Sequence, residues 1–318
     1  MKARIESNLA AARAILEKGD LVAIPTETVY GLAANAFNAD SVIRIFETKN
    51  RPHFDPLIVH VASIDRVRDV VGEIPPLALT LMKTFWPGPL TIVLRKSNRI
   101  PDIVTSGLDT VGVRMPDHPL TLELLRSLDF PLAAPSANPF GYISPTTAWH
   151  VAEQLGDRIS YIVDGGTCSV GVESTIIDCT GKTPIVLRLG GTTIEQITEA
   201  IGPVEVNTVS TSAPLAPGMT LSHYAPRKPM HVGNIADLLR ETEGEVSVLS
   251  FQDPYPNHRN FRLSETGDLN EAARNLFSAM RMLDSDPSNT IIAEWVPNVG
   301  LGRAINDRLR RAASQAKS

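Results

Sequence analysis

Lys49 and Arg51 stand two residues apart, where a helical pattern over 41–49 stops at Pro52 and the strand pattern Leu57-Ile58-Val59-His60-Val61 follows. Lysine offers a compact point charge and arginine a planar five-donor fork, a pair suited to phosphate or carboxylate oxygens. A turn between helix and strand is a common place for working side chains. The competing reading is a solvated helix end, with Lys49 answering the C-terminal dipole. In TVGVRMP (110–116), the period of two puts Thr110, Gly112 and Arg114 on one strand face. An arginine on an apolar face needs an anionic partner, either a ligand or an internal carboxylate such as Glu27 or Asp117. Arg188, among the apolar residues of TPIVLRLG (183–190), makes the same demand.

Hydroxyls and one histidine complete the set. Pro25-Thr26-Glu27-Thr28 follows the buried strand pattern LVAI (21–24) and suits either a plain cap or a small polar ligand. Pro135-Ser136-Ala137-Asn138-Pro139 forms a rigid polar loop after the strand pattern at 132–134, on the edge where open α/β sheets bind ligands. Ser144 followed by Pro145 predicts a helix start, with the serine as N-cap. The chain contains neither HExxH nor GxSxG, and Gly181-Lys182-Thr183 is no P-loop, because Ile176 stands where that motif requires glycine. Cations, hydroxyls and His60 suit positioning and electrostatic stabilisation, as phosphoryl or nucleotidyl transfer requires. The residues by themselves reach an anionic, phosphorylated ligand and stop there.

The elements that must carry these residues alternate between helix and strand. Apolar spacing predicts a helix from Ile5 to Leu16 ended by Gly19, and further helices at 63–71, 76–85 and 117–128. Trp86-Pro87-Gly88-Pro89 is a rigid turn into a strand at 90–94; another strand and turn lie at 161–166, and 174–180 with 183–190 form a hairpin. From 202 to 229 prolines and small polar residues break the periodicity, as in a linker. Strands near 230–232, 246–251 and 290–295 then alternate with helices near 234–241, 269–283 and 302–314. This predicts a small Rossmann-like α/β domain with a parallel sheet but no GxGxxG dinucleotide site. The expected division is 1–201, a linker or lid at 202–229, and 230–318.

Composition narrows the class. At 318 residues, 43% hydrophobic and 20% charged, the chain has room for two globular domains, and a net charge of −5 argues against a general nucleic-acid coat. The first residues carry charges and no apolar h-region, and no apolar run approaches the ~20 residues of a membrane span. Cys168 and Cys179 form no CxxC, so neither a disulfide framework nor a zinc ribbon is expected. The cytoplasm is the default address.

PTETVYGL, Lys49-Asn50-Arg51-Pro52, PLIVH, WPGPLTIVL, VGVRMP, PSAN and ESTIIDCT, in this order, resemble the YrdC/Sua5 family over roughly residues 5–192. The added linker with SHYAP (222–226) and the second domain resemble the longer Sua5 form. The resemblance implies a YrdC-like twisted-sheet α/β domain. It also implies synthesis of L-threonylcarbamoyladenylate from ATP, L-threonine and bicarbonate with Mg²⁺, releasing pyrophosphate. The product would feed t6A formation on tRNA through a downstream threonylcarbamoyl transfer complex. The family's KxR…SxN signature falls on Lys49, Arg51, Ser136 and Asn138. The match implies that Thr28, His60, Arg114 and Ser174, with the backbone at Ala134, hold threonine and its carbamate. It assigns Arg51, Thr110, Ser136, Asn138, Ser144 and Arg188 to the nucleotide, with Tyr224 folding over it, and Lys49 and Arg51 as the catalytic cations. Asp55 departs from the family's usual Asn or Lys; a carboxylate reaches phosphates only through a metal or water, which would give it a Mg²⁺ role. The rival readings are an RNA-binding protein without catalysis and a carbamoyl-adenylate-forming carbamoyltransferase; the latter resembles a longer chain with zinc-finger cysteines.

Overall fold

The computed structural model describes residues 2–208 and 224–314. Among these residues eleven strands form one mixed sheet in the order Arg4–Glu6, Tyr161–Val163, Val22–Ile24, Gly31–Asn35, Leu132–Ala133, Ile58–His60, Thr110–Arg114, Leu90–Arg95, Thr175–Asp178, Ile185–Arg188, Glu205–Val206. The expected N-terminal helix is shorter than its apolar spacing suggested. Ile5 lies instead in an edge strand paired in parallel with Tyr161–Val163, and the helix runs Leu9–Glu17 from an Asn8 N-cap. The sheet also runs past residue 201, because Glu205–Val206 pairs with Ile185–Val186.

The sheet brings sequence-distant residues together. His60 and Arg114 are register partners on adjacent parallel strands, and the same strand pairs antiparallel with Leu132–Ala133. Leu90–Val93 runs parallel to Thr175–Asp178, so the residues just before Thr175 emerge beside the Gly88-Pro89 turn. The core is split between the two faces of the sheet. One cluster includes Phe46, Leu57, Val59, Trp86 and Ile92, and the other includes Leu16, Ile24, Leu124 and Leu132.

The second domain is a parallel four-stranded sheet in the order Met230–Val232, Thr290–Ala293, Val246–Ser250, Arg259–Arg262. The Arg259–Arg262 strand has too little apolar content to stand out in the sequence; it is an edge strand with half-exposed side chains. Two helices, Leu269–Ser285 and Gly302–Ala313, face the first domain. Their apolar cluster includes Val29, Ile143 and Val172 of the first domain, so the two domains share a packed seam. Gly171 shows how close the approach is, since a Cβ there would lie 2.4 Å from the Arg274 Cα.

Candidate active site

The helix Ala39–Lys49 ends because Asn50 adopts the left-handed conformation (φ 51°), which Asn tolerates well, and its N–H caps the Glu47 and Phe46 carbonyls. Beyond that turn Arg51 donates to the carbonyls of Asp55 (3.1 Å) and Pro56 (3.0 Å), just ahead of the strand Ile58–His60. The solvated-helix-end reading does not hold for either cation: Lys49 is 1% and Arg51 6% exposed. Lys49 Nζ donates to the carbonyls of Ser136 (2.5 Å) and Asn138, pinning the Pro135–Pro139 loop to the helix end. Burial first, then the Arg51 charge, pull the Lys49 ammonium well below its ordinary value, with Asp55 opposing.

A pocket opens above these elements, lined by Thr28, Arg51, His60, Arg114, Ala134, Ser136, Ser174, Arg188 and Tyr224, with Thr26 and Glu173 among its other walls. Nine of the expected site residues therefore surround one space. Arg51, Arg114 and Arg188 are all buried there. Arg114 Nη2 lies 2.7 Å from Glu27 Oε1 and donates to Thr28 Oγ1 at 2.9 Å, so its internal partner is Glu27, not Asp117. Arg188 donates to the Ser174 carbonyl (3.0 Å) and hydroxyl (3.1 Å). Ser174 in turn shares a hydrogen bond with Thr91 across adjacent strands at 2.8 Å. His60 is pulled down to about 3 by burial and by Arg114, against the Leu132 and Ile58 carbonyls, so the imidazole is neutral at any physiological pH. Its Nδ1 is buried and has no hydrogen-bond partner among the described residues.

Five expected site residues stand elsewhere. Lys49 and Asn138 lie behind the cavity wall, the Asn138 Nδ2 donating to the carbonyls of Pro139 (2.9 Å) and Tyr142 (2.8 Å). Asp55 is fully buried 2.8 Å from Arg51 Nη2. Burial raises its carboxyl, with Arg51, Lys49 and Arg188 opposing. Its place is therefore that of an internal counter-charge rather than a group facing phosphates. Thr110 lines a smaller neighbouring cleft with Thr91, Thr105 and Gly112. Ser144 does not cap a helix; Thr147 caps Ala148–Leu155, and the fully buried Ser144 Oγ donates to Glu173 Oε1 at 2.6 Å. Ser-Pro marks a helix start only when the next residues turn, and here Pro145 instead offers its carbonyl to Tyr30 N.

Tyr224 is 1% exposed and sits at φ 66°, its ring 5.6 Å from Phe277 and under the Arg308 guanidinium at 5.0 Å. His223, the other expected lid residue, lies outside the described residues. Glu173 and Arg308 are the participants that residue patterns missed. The signal for Glu173 was its place directly before Ser174, whereas nothing local marks Arg308 among the arginines of its helix.

A family profile for Sua5, YciO and YrdC proteins, described as "Telomere recombination", matches residues 14–190. The chain belongs to this family. A second profile, "Threonylcarbamoyl-AMP synthase, C-terminal domain", matches residues 192–314. The threonylcarbamoyl-AMP synthase of Bacillus subtilis is 44% identical over 97% of this chain and 93% of its own, and that of Pyrococcus abyssi 43% identical over 98% and 96%. A crystal structure of P. abyssi Sua5 with L-threonine superimposes at a TM-score of 0.91 and 42% identity, over 97% of this chain and 94% of that one. The family's long two-domain form is thus the one this chain shares.

Proposed function

We propose that this chain is a threonylcarbamoyl-AMP synthase, condensing ATP, L-threonine and bicarbonate to the adenylate with release of pyrophosphate. The observation that carries the reading is one cavity holding three buried arginines, a neutral histidine and several hydroxyls. Arg114 presents a fork to the threonine carboxylate, and Thr28 and Ser174 offer hydroxyls to its polar groups. The threonine amine adds to bicarbonate, water leaves, and a carbamate results. Neutral His60 can accept a hydrogen bond from the amine or hydroxyl and so orient it, whereas burial and Arg114 keep it from taking up a proton. A carbamate oxygen then forms a bond to the α-phosphorus as the bond to pyrophosphate breaks, while Arg51 and Arg188 balance the growing negative charge. Lys49 acts from behind by holding the Ser136 loop against the nucleotide. Tyr224 closes the cavity and helps exclude water from a labile product.

Mg²⁺ enters as part of the Mg·ATP substrate. The described residues contain no cluster of three His, Cys, Asp or Glu that could hold a metal, and Asp55 is already engaged with Arg51. No helix among the described residues is long and apolar enough to cross a membrane. Action in the cytoplasm, with the adenylate passing to a threonylcarbamoyl transfer complex that modifies tRNA, completes the reading.

The test is direct. Purified protein with Mg·ATP, threonine and bicarbonate should yield threonylcarbamoyl-AMP by mass spectrometry, and omission of threonine or bicarbonate should abolish it. Equal turnover of ATP with carbamoyl phosphate and no threonine would move the assignment to a carbamoyltransferase.

A further inference from the structure

Glu173 poses a problem for a cavity that takes phosphates. It is a wall residue beside Ser174, and a bare carboxylate there would repel the nucleotide. The second domain answers that charge. Arg308, on the helix Gly302–Ala313 and 0% exposed, donates from Nε to Glu173 Oε2 at 2.9 Å. The other carboxylate oxygen takes the Ser144 hydroxyl. Arg308 Nη1 is steadied by Asp307 Oδ2 at 2.9 Å, which Arg311 Nε also reaches at 3.0 Å. The same guanidinium lies over the ring of Tyr224, another wall residue. A single side chain of the second domain thus touches two walls of the first domain's cavity.

The backbone around Glu173 leaves little freedom to absorb a change. A Cβ on Gly190 would come within 2.3 Å of the Glu173 carbonyl, so the hairpin strand packs directly against that segment. Gly171 is pressed on the Arg274 backbone from the other side. Glu173 therefore depends on its side-chain partners rather than on a backbone shift to neutralise its charge.

We propose that Arg308 is a positioning residue for the nucleotide half of the cavity, holding Glu173 turned onto Ser144 and the Tyr224 ring in place against the bound phosphates. The inference rests on the synthase reading above. It gives the second domain a part in the reaction through an ion pair across the seam. Removing Arg308 leaves Glu173 buried without its ion-pair partner and facing ATP, competing with the phosphates for the Arg188 charge; removing both charges leaves the wall neutral.

The test measures KM for ATP and for threonine, with melting temperature, in the full-length protein. Arg308→Gln should raise the ATP KM roughly tenfold or more while the threonine KM moves less than about threefold. Adding Glu173→Gln to that variant should recover most of the ATP KM, a rescue that generic loosening of the seam would not give. Arg308→Lys keeps a charge but loses the fork, and should fall between the wild type and Arg308→Gln. If Arg308→Gln does not fold, Arg308→Lys carries the test, with an ATP KM raised by at least about threefold expected. An unchanged ATP KM in the folded variant, ATP and threonine constants rising together, or no recovery from Glu173→Gln each overturns the inference. Wild-type protein in the same assay separates the two readings. Absence of adenylate from it sinks the synthase assignment, whereas normal constants in the Arg308 variants sink this inference alone.

Discussion

The arginines of the cavity and those of the seam between domains are buried alike but partnered differently. In the cavity, Arg51 and Arg114 come within 2.8 and 2.7 Å of Asp55 and Glu27. Yet among the described residues all four carboxylate oxygens of these two acids lack a well-aligned hydrogen bond. The charges are balanced while the directional bonding is left incomplete. At the seam, Arg308 makes aligned bonds to Glu173 and Asp307, and Arg281 donates to the carbonyls of Ile143 and Ser144 (3.3 Å) and to Gln154 Oε1 (3.1 Å). A charge-assisted hydrogen bond is strong only when donor and acceptor align. The difference lies in the acids, since both cavity guanidinia also make aligned bonds, Arg51 to the Asp55 and Pro56 carbonyls and Arg114 to Thr28 and the Gly88 carbonyl. The cavity acids keep acceptor capacity to spare, whereas both carboxylate oxygens of Glu173 at the seam are bonded, even though Arg308 Nη2 has no hydrogen-bond partner among the described residues. Capacity for substrate and contribution to stability separate along that line.

The largest effect should come from replacing one arginine of each kind. Arg51→Met should lower turnover about 10²- to 10³-fold, the scale of losing one preorganised charge stabiliser. Arg281→Met should act mainly on stability, by about 1–3 kcal/mol for each buried carbonyl left without a donor, with a smaller loss of rate. Turnover and urea unfolding of both variants check this, and equal kinetic damage from the two would erase the distinction.

A middle-sized effect concerns acid. His60 binds its proton near pH 6.5 when unfolded but near 3 when folded, so between those values the unfolded chain holds more protons. Stability should therefore fall as pH drops through that window, by about 1.4 kcal/mol per unit from this group. Unfolding free energies between pH 6.5 and 5, where most carboxylates stay ionised, should slope less steeply in His60→Gln. An identical slope would mean that the imidazole is not held neutral inside the cavity.

The smallest effect belongs to a third class, the half-exposed pair of Arg303 and Glu195, 3.1 Å apart across the domains with side chains 38% and 50% exposed. Arg303→Ala should cost about 0.2–1 kcal/mol and leave kinetic constants unaltered, because water and salt screen such pairs. A loss comparable to that of Arg281→Met would show that charge, not burial and alignment, orders the three groups.

The chain's own residues determined a good part of this protein. Periods of two and 3.6 placed the strand of His60, the helix ending at Lys49, the hairpin bearing Arg188 and the parallel second domain. The buried cations Arg114 and Arg188 announced themselves as charges on apolar strands, and the ordered motifs marked the family. These features are local, since side-chain periodicity and turn chemistry act within a few residues. What a lone sequence could not settle is which side of a wall a polar residue faces. Lys49 read as a catalytic cation or a solvated helix end, and not as the anchor of a loop, because its acceptors, the Ser136 and Asn138 carbonyls, lie far along the chain. Ser144 read as a cap because its true partner, Glu173, comes from the segment before the distant strand Thr175–Asp178. Arg308 was one arginine among several until the seam buried it. Tertiary structure decided these cases because burying a polar group requires a partner, and in each of them the partner came from a distant part of the chain.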